Sequence, residues 1–303
     1  MRTRTLGDTG LVVSVVGLGT NNFGWRIDDE RAKSVVDAAL DAGVTFFDTA
    51  EMYGDGVSEE LLGRALGERR RDVVVATKFG WTRGTDPPGG SREYIRGAIE
   101  GSLRRLGTDY VDLYQYHRPD GVTPIEETLG ALDELVQEGK VRHVGSSNFS
   151  ADRVEEAAAV SAEHGWSRFV SAQNHYSLLE RGVEDDLVPV CERLGIGVIP
   201  YYPLENGLLT GKYSRDERAP EGTRLAGRGD LADDRTWDRI EALESFAAER
   251  GVTLLDVAIG GLAAKPAVAS VIAGATKPEQ VRANAAAGEW VPSDADLQAL
   301  SAI

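Results

Sequence analysis

Residues 45–78, TFFDTAEMYGDGVSEELLGRALGERRRDVVVATK, contain two kinds of periodicity in succession. The runs TFFDT (45–49) and DVVVATK (72–78) are short and largely apolar, which is typical of buried β-strands. Between them, SEELLGRALG (58–67) carries apolar residues at helical spacing, with Ser58 in the position of an N-cap. The stretch therefore predicts one strand–helix–strand unit.

The same alternation extends over the rest of the chain. DDERAKSVVDAALDAG (28–43) places its apolar residues on one helical face, and SREYIRGAIEGSLRRLG (91–107) begins with a second candidate N-cap, Ser91. Eight alternating strand–helix units predict a closed (β/α)8 TIM barrel rather than an open sheet. The eight candidate strands are LVVSVVGLG (11–19), TFFDT, DVVVATK, YVDLYQYH (110–117), VRHVGSSN (141–148), RFVSAQN (168–174), GVIPYY (197–202) and AVASVIAG (267–274).

The chain has 303 residues, more than the roughly 250 that such a barrel usually needs. We assign the surplus to an N-terminal β-hairpin with its turn at Asp8 to Gly10, to a long segment from Leu204 to Asp234, and to the C-terminal tail. YSRDERAPEGTRLAGRGD (213–230), within the long segment, is rich in Gly, Pro and charge, which predicts a long loop after the seventh strand. A loop of this length is usually a lid or binding loop and is otherwise disordered. Because no change in composition marks a boundary, we predict a single domain over residues 1–303.

Composition excludes several classes of function. The net charge of −16 makes nucleic acid an unsuitable partner, since binding to phosphates requires clustered Lys and Arg. No apolar run is long enough for a signal peptide or a membrane span. The single cysteine, Cys191, precludes an internal disulfide and favours a cytoplasmic location, and we expect it to be a core residue of a helix. The sequence has no dense cluster of His, Cys and carboxylate residues at ligand spacing, so we predict no metal site.

Polar residues end nearly every predicted strand. In a (β/α)8 barrel the C-terminal ends of the strands form the active-site face. The predicted strands after the first end at Asp48, Lys78, His117, Ser147 and Asn148, Gln173, Tyr201, and the region of Gly274. This repetition predicts a ligand-binding face.

Three of these residues, together with Tyr53, suit reduction of a carbonyl group. Asp48 and Lys78 end adjacent predicted strands, where a buried ammonium and carboxylate can neutralise one another. A neighbouring lysine cation would lower the pKa of Tyr53 from its usual value of about 10 and make it a usable acid. His117 could donate a hydrogen bond to the same substrate oxygen. Because these groups deliver a proton and no reductant, a hydride donor is required.

The remaining strand ends have groups suited to such a donor. Ser147, Asn148 and Gln173 offer hydroxyl and amide groups for a nicotinamide carboxamide, and Tyr201 offers a ring for stacking. A helix that starts near Thr276 would point free N–H groups at a phosphate. GLGTNNFG (17–24) does not have the G-x-G-x-x-G spacing of an open dinucleotide-binding fold.

Over essentially its full length the sequence resembles the aldo-keto reductase superfamily, in particular the bacterial and potassium-channel β-subunit-like branch. The order and spacing of the matching motifs make the resemblance specific. They are GLGTNNFG, FFDTAEMYGDG (46–56), VATKFG (75–80), YQYHRPD (114–120), GKVRHVGSSNFS (139–150), SAQNHYS (171–177), PYYPLENGLLTGKY (200–213) and GATKPEQVRANAAA (274–287).

The resemblance implies an NAD(P)(H)-dependent enzyme that reduces aldehydes or ketones, or oxidises the matching alcohols or sugars, by hydride transfer. It implies that Tyr53 is the proton donor and that Asp48, Lys78 and His117 complete a catalytic tetrad. We expect Trp25, Tyr53, Trp81 and His117 to line the substrate pocket, and the long loop after the seventh strand to cover the cofactor. The residues expected to bind the cofactor are Gly19, Thr20, Asn21, Asp48, Ser147, Asn148, Gln173, Tyr201, Tyr202, Pro203, Leu204, Gly207, Leu209, Lys212, Arg224, Gly274, Thr276, Lys277, Gln280 and Asn284.

The choice between NADP and NAD depends on departures from the family pattern. Gly274 and Gln280 stand where vertebrate relatives carry cations for the 2′-phosphate, and Glu205 adds a carboxylate to the phosphate loop, where it is unfavourable unless it points away. Arg224 and Lys277 are then the best candidates to hold the 2′-phosphate. On this basis we expect a preference for NADPH.

Two alternatives to a reductase follow from the same residues. One is a regulatory module that retains NADPH, senses redox state for a partner and turns over little, as the channel β-subunit resemblance allows. The other is a class I aldolase with Lys78 as the Schiff-base nucleophile, which leaves Gln173 and Tyr201 without a role.

Overall fold

The computed structural model describes residues 1–228 and 231–303, which include an N-terminal hairpin and eight parallel barrel strands. The hairpin strands are β1 (Thr3–Thr5) and β2 (Val12–Ser14). The barrel strands are β3 (Val16–Gly19), β4 (Phe46–Asp48), β5 (Val74–Phe79), β6 (Val111–Tyr116), β7 (Val141–Ser147), β8 (Phe169–Gln173), β9 (Gly197–Val198) and β10 (Val271–Gly274).

Helices surround the barrel. Of the ten within residues 1–228 and 231–303, nine follow its strands in the expected alternation, two of them in the connection after β9. They are α1 (Asp29–Asp41), α2 (Val57–Leu66), α3 (Arg92–Leu106), α4 (Ile125–Gln137), α5 (Ala151–His164), α6 (Leu187–Leu194), α7 (Asp234–Glu249), α8 (Leu254–Ala263), α9 (Pro278–Ala287) and the C-terminal α10 (Asp294–Ser301).

Hydrogen bonds between the first and last neighbours close the sheet. The ladder runs β10-β3-β4-β5-β6-β7-β8-β9, and β9 meets the segment just before β10 through a bridge between Val198 and Val268. The Ile272 N–H also donates to the Pro200 carbonyl over 3.2 Å. The predicted (β/α)8 barrel is therefore confirmed.

Two apolar regions hold the barrel together. The larger one packs the outer faces of the strands against the helices. The smaller one fills the lower half of the barrel interior and includes Leu6 and Val13 from the hairpin. Gly7 has a φ of +54°, and a Cβ there would lie 2.5 Å from the Gly195 carbonyl oxygen, so the hairpin sits against the chain just before β9. The predicted hairpin thus closes the N-terminal end of the barrel.

Local details confirm some sequence predictions and correct others. Ser91 is the N-cap of α3 and Cys191 is a buried residue of α6. Ser58 is not an N-cap, because α2 begins at Val57 after Gly56 and the Ser58 hydroxyl is buried below the active-site face.

The connection after β9 is longer than one helix. It contains a short 3-10 turn (Glu205–Thr210), a run of turns, and then the two helices α7 and α8. The predicted loop 213–230 is irregular over its described part, and its last two residues lie outside the described residues. Over the described ranges, no helix combines the length and apolar character needed to cross a bilayer.

Candidate active site

The candidate site begins where the barrel interior changes from apolar to polar. Side chains two residues apart in a strand point to the same side. Above the apolar residues Phe46 and Ala76, the next inward positions of β4 and β5 are therefore Asp48 and Lys78. Both are buried, and so is Gln115 at the corresponding level of β6. The alternation that forms the core thus also places a layer of polar groups on top of it.

Asp48 and Lys78 form a buried ion pair. The Lys78 Nζ donates to Asp48 Oδ2 over 2.6 Å and to the Thr49 carbonyl over 2.8 Å. It also lies 3.4 Å from the Tyr53 hydroxyl oxygen. The ammonium therefore has three oxygen partners, as a buried charge requires.

The second oxygen of Asp48 accepts from two amides. Gln173 donates over 2.8 Å and Gln115 over 3.3 Å. Sequence analysis missed Gln115, although the period-two spacing Leu113, Gln115, His117 places it on the inward face directly below His117. Gln173, which was predicted to hold a carboxamide, is thus also part of the support of Asp48.

Hydroxyl groups support this pair from below. The Ser58 Oγ lies 2.8 Å from Thr20 Oγ1 and 3.0 Å from Thr49 Oγ1. Thr20 Oγ1 lies 3.0 Å from the Asp48 carbonyl oxygen and can donate to it. Thr20, which was expected beside the nicotinamide ribose, is therefore buried behind Asp48.

The electrostatics of Tyr53 differ from the expectation. Burial raises the pKa of Tyr53 above its usual value, and the opposing attraction of Lys78 offsets only part of that effect. Burial would lower the pKa of Lys78, but Asp48 and Tyr53 together raise it. The expected fall in the Tyr53 pKa is thus not found: the phenol keeps its proton and the lysine keeps its charge.

His117 completes the group. Its ring meets the Tyr53 ring edge-on, with centroids 6.1 Å apart. Burial, with the nearby charge of Lys78, lowers the pKa of His117 to about 3. The buried Nδ1 has no hydrogen-bond partner among residues 1–228 and 231–303. A neutral ring with its proton on Nε2 leaves only a lone pair at Nδ1 and keeps one donor for the cleft.

These residues lie at one end of a cleft of ≈ 620 Å³. We call this the tetrad end; its wall includes Asp48, Met52, Tyr53, Trp81 and His117. The far end, which we call the phosphate end, is lined by the loop from Tyr202 to Gly207 and by Lys212, Arg224 and Lys277. Predicted residues that line the cleft between and around these are Gly19, Asn21, Ser147, Asn148, Gln173, Tyr201, Gly274, Thr276, Gln280 and Asn284.

Four predicted site residues do not line the cleft. Lys78 and Thr20 are buried behind the wall, and Leu209 is buried in the core. Trp25 is 61% exposed and borders a separate shallow depression. Conversely, cleft-lining residues that sequence analysis missed are Asn22, Arg26, Met52, Arg118, Asn206, Thr210, Glu221, Gly222, Thr223, Ile272, Ala273 and Ala275.

Asn148 connects the two ends of the cleft. Its backbone has a φ of +60°, and its Nδ2 donates to the His117 carbonyl over 2.9 Å. Its Oδ1 accepts from the Tyr201 hydroxyl over 2.8 Å. The amide and the tyrosine ring are therefore oriented relative to His117 before any ligand binds.

The loop at the phosphate end has an unusual backbone. Tyr202, Glu205 and Asn206 all have positive φ, as does Gly207 at +100°. The φ of Gly207 favours glycine, and a Cβ there would lie 2.8 Å from the Lys212 Nζ, so the ammonium lies close against this backbone. A cradle without a side chain beside a lysine is suited to an anionic group. The observed residues therefore fit a bound dinucleotide phosphate.

Glu205 does not face this cradle. Its Oε1 lies 2.7 Å from His175 Nε2 and accepts from the Ser177 hydroxyl over 2.7 Å. This hydrogen bond raises the pKa of His175, whose ring stacks on that of Tyr201 with centroids 5.5 Å apart. The condition placed on the carboxylate by sequence analysis is met, and His175 is the partner that the sequence did not reveal.

The cations of the long loop and of α9 complete the phosphate end. The Arg224 guanidinium lies 5.6 Å from the centre of the Tyr202 ring. Pro278 occupies the first turn of α9 after Lys277, as predicted. Gln280 accepts from the Thr276 N–H over 2.8 Å, and Asn284 is buried.

A sequence-family model described as the aldo/keto reductase family matches residues 15–303. The chain belongs to the aldo/keto reductase family. It is therefore an oxidoreductase, and the enzymes of this family use nicotinamide cofactors.

Curated relatives cover nearly the whole chain. A probable voltage-gated potassium channel subunit beta of rice is 39% identical over 96% of this chain and 92% of its own length. An uncharacterized oxidoreductase of Bacillus subtilis is 38% identical over 91% of this chain and 88% of its own length. The L-glyceraldehyde 3-phosphate reductase of Escherichia coli is 34% identical over 94% of this chain and 86% of its own length.

Proposed function

We propose that residues 1–303 form one catalytic domain that reduces aldehydes or ketones with NADPH, or oxidises the matching alcohols or sugars. The observation that carries the proposal is the position of Tyr53. Its hydroxyl lies 3.4 Å from the buried Lys78 ammonium, and Tyr53 lines a cleft of ≈ 620 Å³ that also contains Lys212, Arg224 and Lys277. A proton donor at this point suits a substrate carbonyl oxygen.

Each member of the tetrad has a separate task in this proposal. Tyr53 delivers a proton to the substrate oxygen, and Lys78 stabilises the phenolate that remains. Asp48 holds Lys78 protonated and in place. His117, neutral at working pH, donates a hydrogen bond from Nε2 and orients the oxygen. When it is bound, the reduced nicotinamide supplies the hydride.

Other residues of this chain would hold the cofactor. We assign the carboxamide to Ser147, Asn148 and Gln173, and the face of the nicotinamide to Tyr201. Gly207 and Lys212 would receive the pyrophosphate. Arg224 and Lys277 would select NADPH through the 2′-phosphate, since both line the phosphate end and neither forms an ion pair with another described residue.

The decisive experiment is NADPH oxidation with a panel of aldehydes and ketones, followed by absorbance over many turnovers. We expect sustained turnover with at least one carbonyl class and slower turnover with NADH. Failure to oxidise NADPH with any carbonyl compound of the panel would contradict the reductase assignment. Retained cofactor with a single slow oxidation would favour the regulatory alternative.

That alternative, a redox-sensing regulatory module, is favoured by one specific observation. The rice relative is named a probable voltage-gated potassium channel subunit beta and is 39% identical to this chain over the aligned residues. The Asp48–Lys78 pair and the proton-holding Tyr53 nevertheless favour turnover. The class I aldolase is disfavoured, because the Lys78 ammonium is buried, has three oxygen partners and has a raised pKa. A cytoplasmic location remains part of the proposal, supported by the single cysteine.

A further inference from the structure

The cleft carries more positive charge than the proposed cofactor accounts for. Five basic side chains line it, namely Arg26, Arg118, Lys212, Arg224 and Lys277. Two carboxylates also line it: Asp48, which is paired with Lys78, and Glu221. This excess stands out in a chain whose net charge is −16. A cleft with a local field of this sign favours anionic ligands.

None of these five cations forms an ion pair with any residue among 1–228 and 231–303, whereas arginines elsewhere commonly do. Lys212, Arg224 and Lys277 lie at the phosphate end, where the phosphates of a dinucleotide would neutralise them. Arg26 and Arg118 are left without a counter-charge there. Their position decides what they can bind.

Both remaining arginines belong to the tetrad end. Arg118 directly follows His117, and its charge acts on both His117 and Tyr201. Arg26 lies on the loop after β3, which packs on the turn that carries Tyr53. A Cβ at Gly54 would lie 3.2 Å from the Phe23 carbonyl oxygen. The Arg26 guanidinium lies 5.0 Å from the centre of the Trp25 ring, which steadies it without neutralising it.

We propose that the substrate is a carbonyl compound with an anionic group, a carboxylate or a phosphate, which Arg26 and Arg118 bind while the carbonyl oxygen meets Tyr53. This inference rests on the proposed function of the same cleft. Arginine binds both anions through paired N–H donors, so the shared chemistry is that of a planar or tetrahedral oxyanion. Met52 and Trp81 line the same cleft as these arginines and Tyr53, and their side chains would contact the carbon chain of the substrate.

The test compares substrates that differ only in charge. 4-Carboxybenzaldehyde and its methyl ester have the same reacting carbonyl, and 4-formylphenyl phosphate provides the phosphate arm. We expect kcat/KM for the charged aldehydes to exceed that for the ester by roughly tenfold or more, mainly through a lower KM. The better of the two charged aldehydes identifies the anion.

Variants of the arginines locate the effect. Arg118→Gln and Arg26→Gln should each reduce the ratio of kcat/KM for the charged aldehyde to kcat/KM for the ester by about tenfold. Arg71→Gln is the matched control, because Arg71 is exposed at the opposite face of the barrel and also has no ion pair among the described residues. The inference is overturned if the wild type has the same kcat/KM for the ester and the acid. It is also overturned if neither cleft variant lowers the ratio of kcat/KM for the acid to that for the ester.

A binding measurement separates this inference from the proposed function. Calorimetry on the NADP-saturated protein compares 4-(hydroxymethyl)benzoate with its methyl ester, which requires no turnover. Tighter binding of the acid that disappears in Arg118→Gln supports the inference even if no aldehyde is reduced, a result that would contradict only the reductase assignment. Equal binding of acid and ester overturns the inference even if both aldehydes are reduced.

Discussion

The two ends of the cleft are built on different backbones and in different electrostatic states. At the tetrad end, Asp48 and Lys78 lie at or near strand ends and are buried. The Lys78 Nζ and Asp48 Oδ2 form an ion pair at 2.6 Å. At the phosphate end, the loop from Tyr202 to Gly207 has four residues with positive φ, and the nearby cations have no carboxylate partner among the described residues. The first end is organised before a ligand arrives, whereas the second is complementary to charge that a ligand must bring.

Two histidines show the same contrast. Burial and Lys78 lower the pKa of His117 at the tetrad end, and the hydrogen bond that His175 donates to the Glu205 carboxylate raises the pKa of His175 behind the phosphate loop. Low pH should therefore reduce the stability that His117 contributes at the tetrad end. High pH should reduce the stability that the His175–Glu205 pair contributes behind the phosphate loop. Variants at each end test this division, and the following are in order of decreasing expected effect.

The largest effect should come from Tyr53→Phe. Loss of the hydroxyl removes the proposed proton donor at the tetrad end, and general acid catalysis is typically worth about 10²–10⁴-fold in rate. Cofactor affinity should stay within about threefold, because the cofactor contacts lie elsewhere. Turnover and NADPH titration check both, with Tyr110→Phe at the opposite end of the barrel as the control. A variant that keeps more than about a tenth of the wild-type rate would show that another group donates the proton.

Lys78→Met should cost both activity and stability. It leaves the buried Asp48 carboxylate with two amide donors and no cation, and breaking a buried pair typically costs about 3–5 kcal/mol in the free energy of unfolding. Denaturant unfolding measures the loss. The double variant Asp48→Asn, Lys78→Met should recover part of the stability and none of the activity. A stable, active single variant would mean that the ion pair has no role.

His117 should make stability depend on pH in the acid range. The unfolded histidine binds a proton below about pH 6.5, whereas the folded one resists it down to about pH 3. Stability attributable to His117 is therefore lost as pH falls through this window, by about 2–3 kcal/mol between roughly pH 6.5 and 4.5. Unfolding free energies of wild type and His117→Gln at both pH values check the sign. If the free energies of unfolding of wild type and His117→Gln change equally with pH, His117 is exposed to solvent rather than buried.

Arg224→Ala should weaken the binding of NADPH and leave the binding of NADH unchanged. The loss of a charged hydrogen bond to the 2′-phosphate is worth about 1.5–3 kcal/mol, and NADH has no such group. Dissociation constants for both cofactors decide the point, with Arg218→Ala in the same loop as the control. Equal losses for both cofactors would assign Arg224 to the pyrophosphate, and a wild-type preference for NADH would exclude the 2′-phosphate site.

The smallest effect is expected at Glu205. Because the pKa of His175 is raised, its contribution to stability is present below about pH 6.5 and is lost as pH rises through the folded value. Solvent screens this half-exposed pair, so only a few tenths of a kcal/mol should change between about pH 5.5 and 8.5. The NMR titration of His175 is the direct measurement, and its pKa should fall in Glu205→Gln. An unchanged titration would mean that the carboxylate points toward the cradle.

The barrel and the tetrad could be predicted because they depend on regular backbone. Each apolar run is a strand, and the polar residue at its end must emerge on the same face as its neighbours. Asp48, Tyr53 and His117 therefore came together on the cleft wall as expected, with Lys78 directly behind. Gln115 followed the same rule and was overlooked only because it lies one position below a strand end.

Local rules failed where distant parts of the chain meet. Ser58 is of a residue type that favours N-caps, but its hydroxyl forms hydrogen bonds with Thr20 and Thr49. These residues come close to Ser58 only in the folded barrel. Burial of Tyr53 outweighs the lysine that was expected to lower its pKa. Glu205 stood out in the sequence as an unfavourable charge, and only the fold brings His175 and Ser177 to it from the end of β8.

The sequence alone thus determined which elements form, their order around the barrel, and which residue types face the ligand, because periodicity and strand ends are local properties. The tertiary structure decided how far each charge is desolvated, which cations are left without partners, and where Arg26, Arg118 and Glu205 point. These depend on distances between residues far apart in the chain, and desolvation and Coulomb energies depend on those distances rather than on sequence separation.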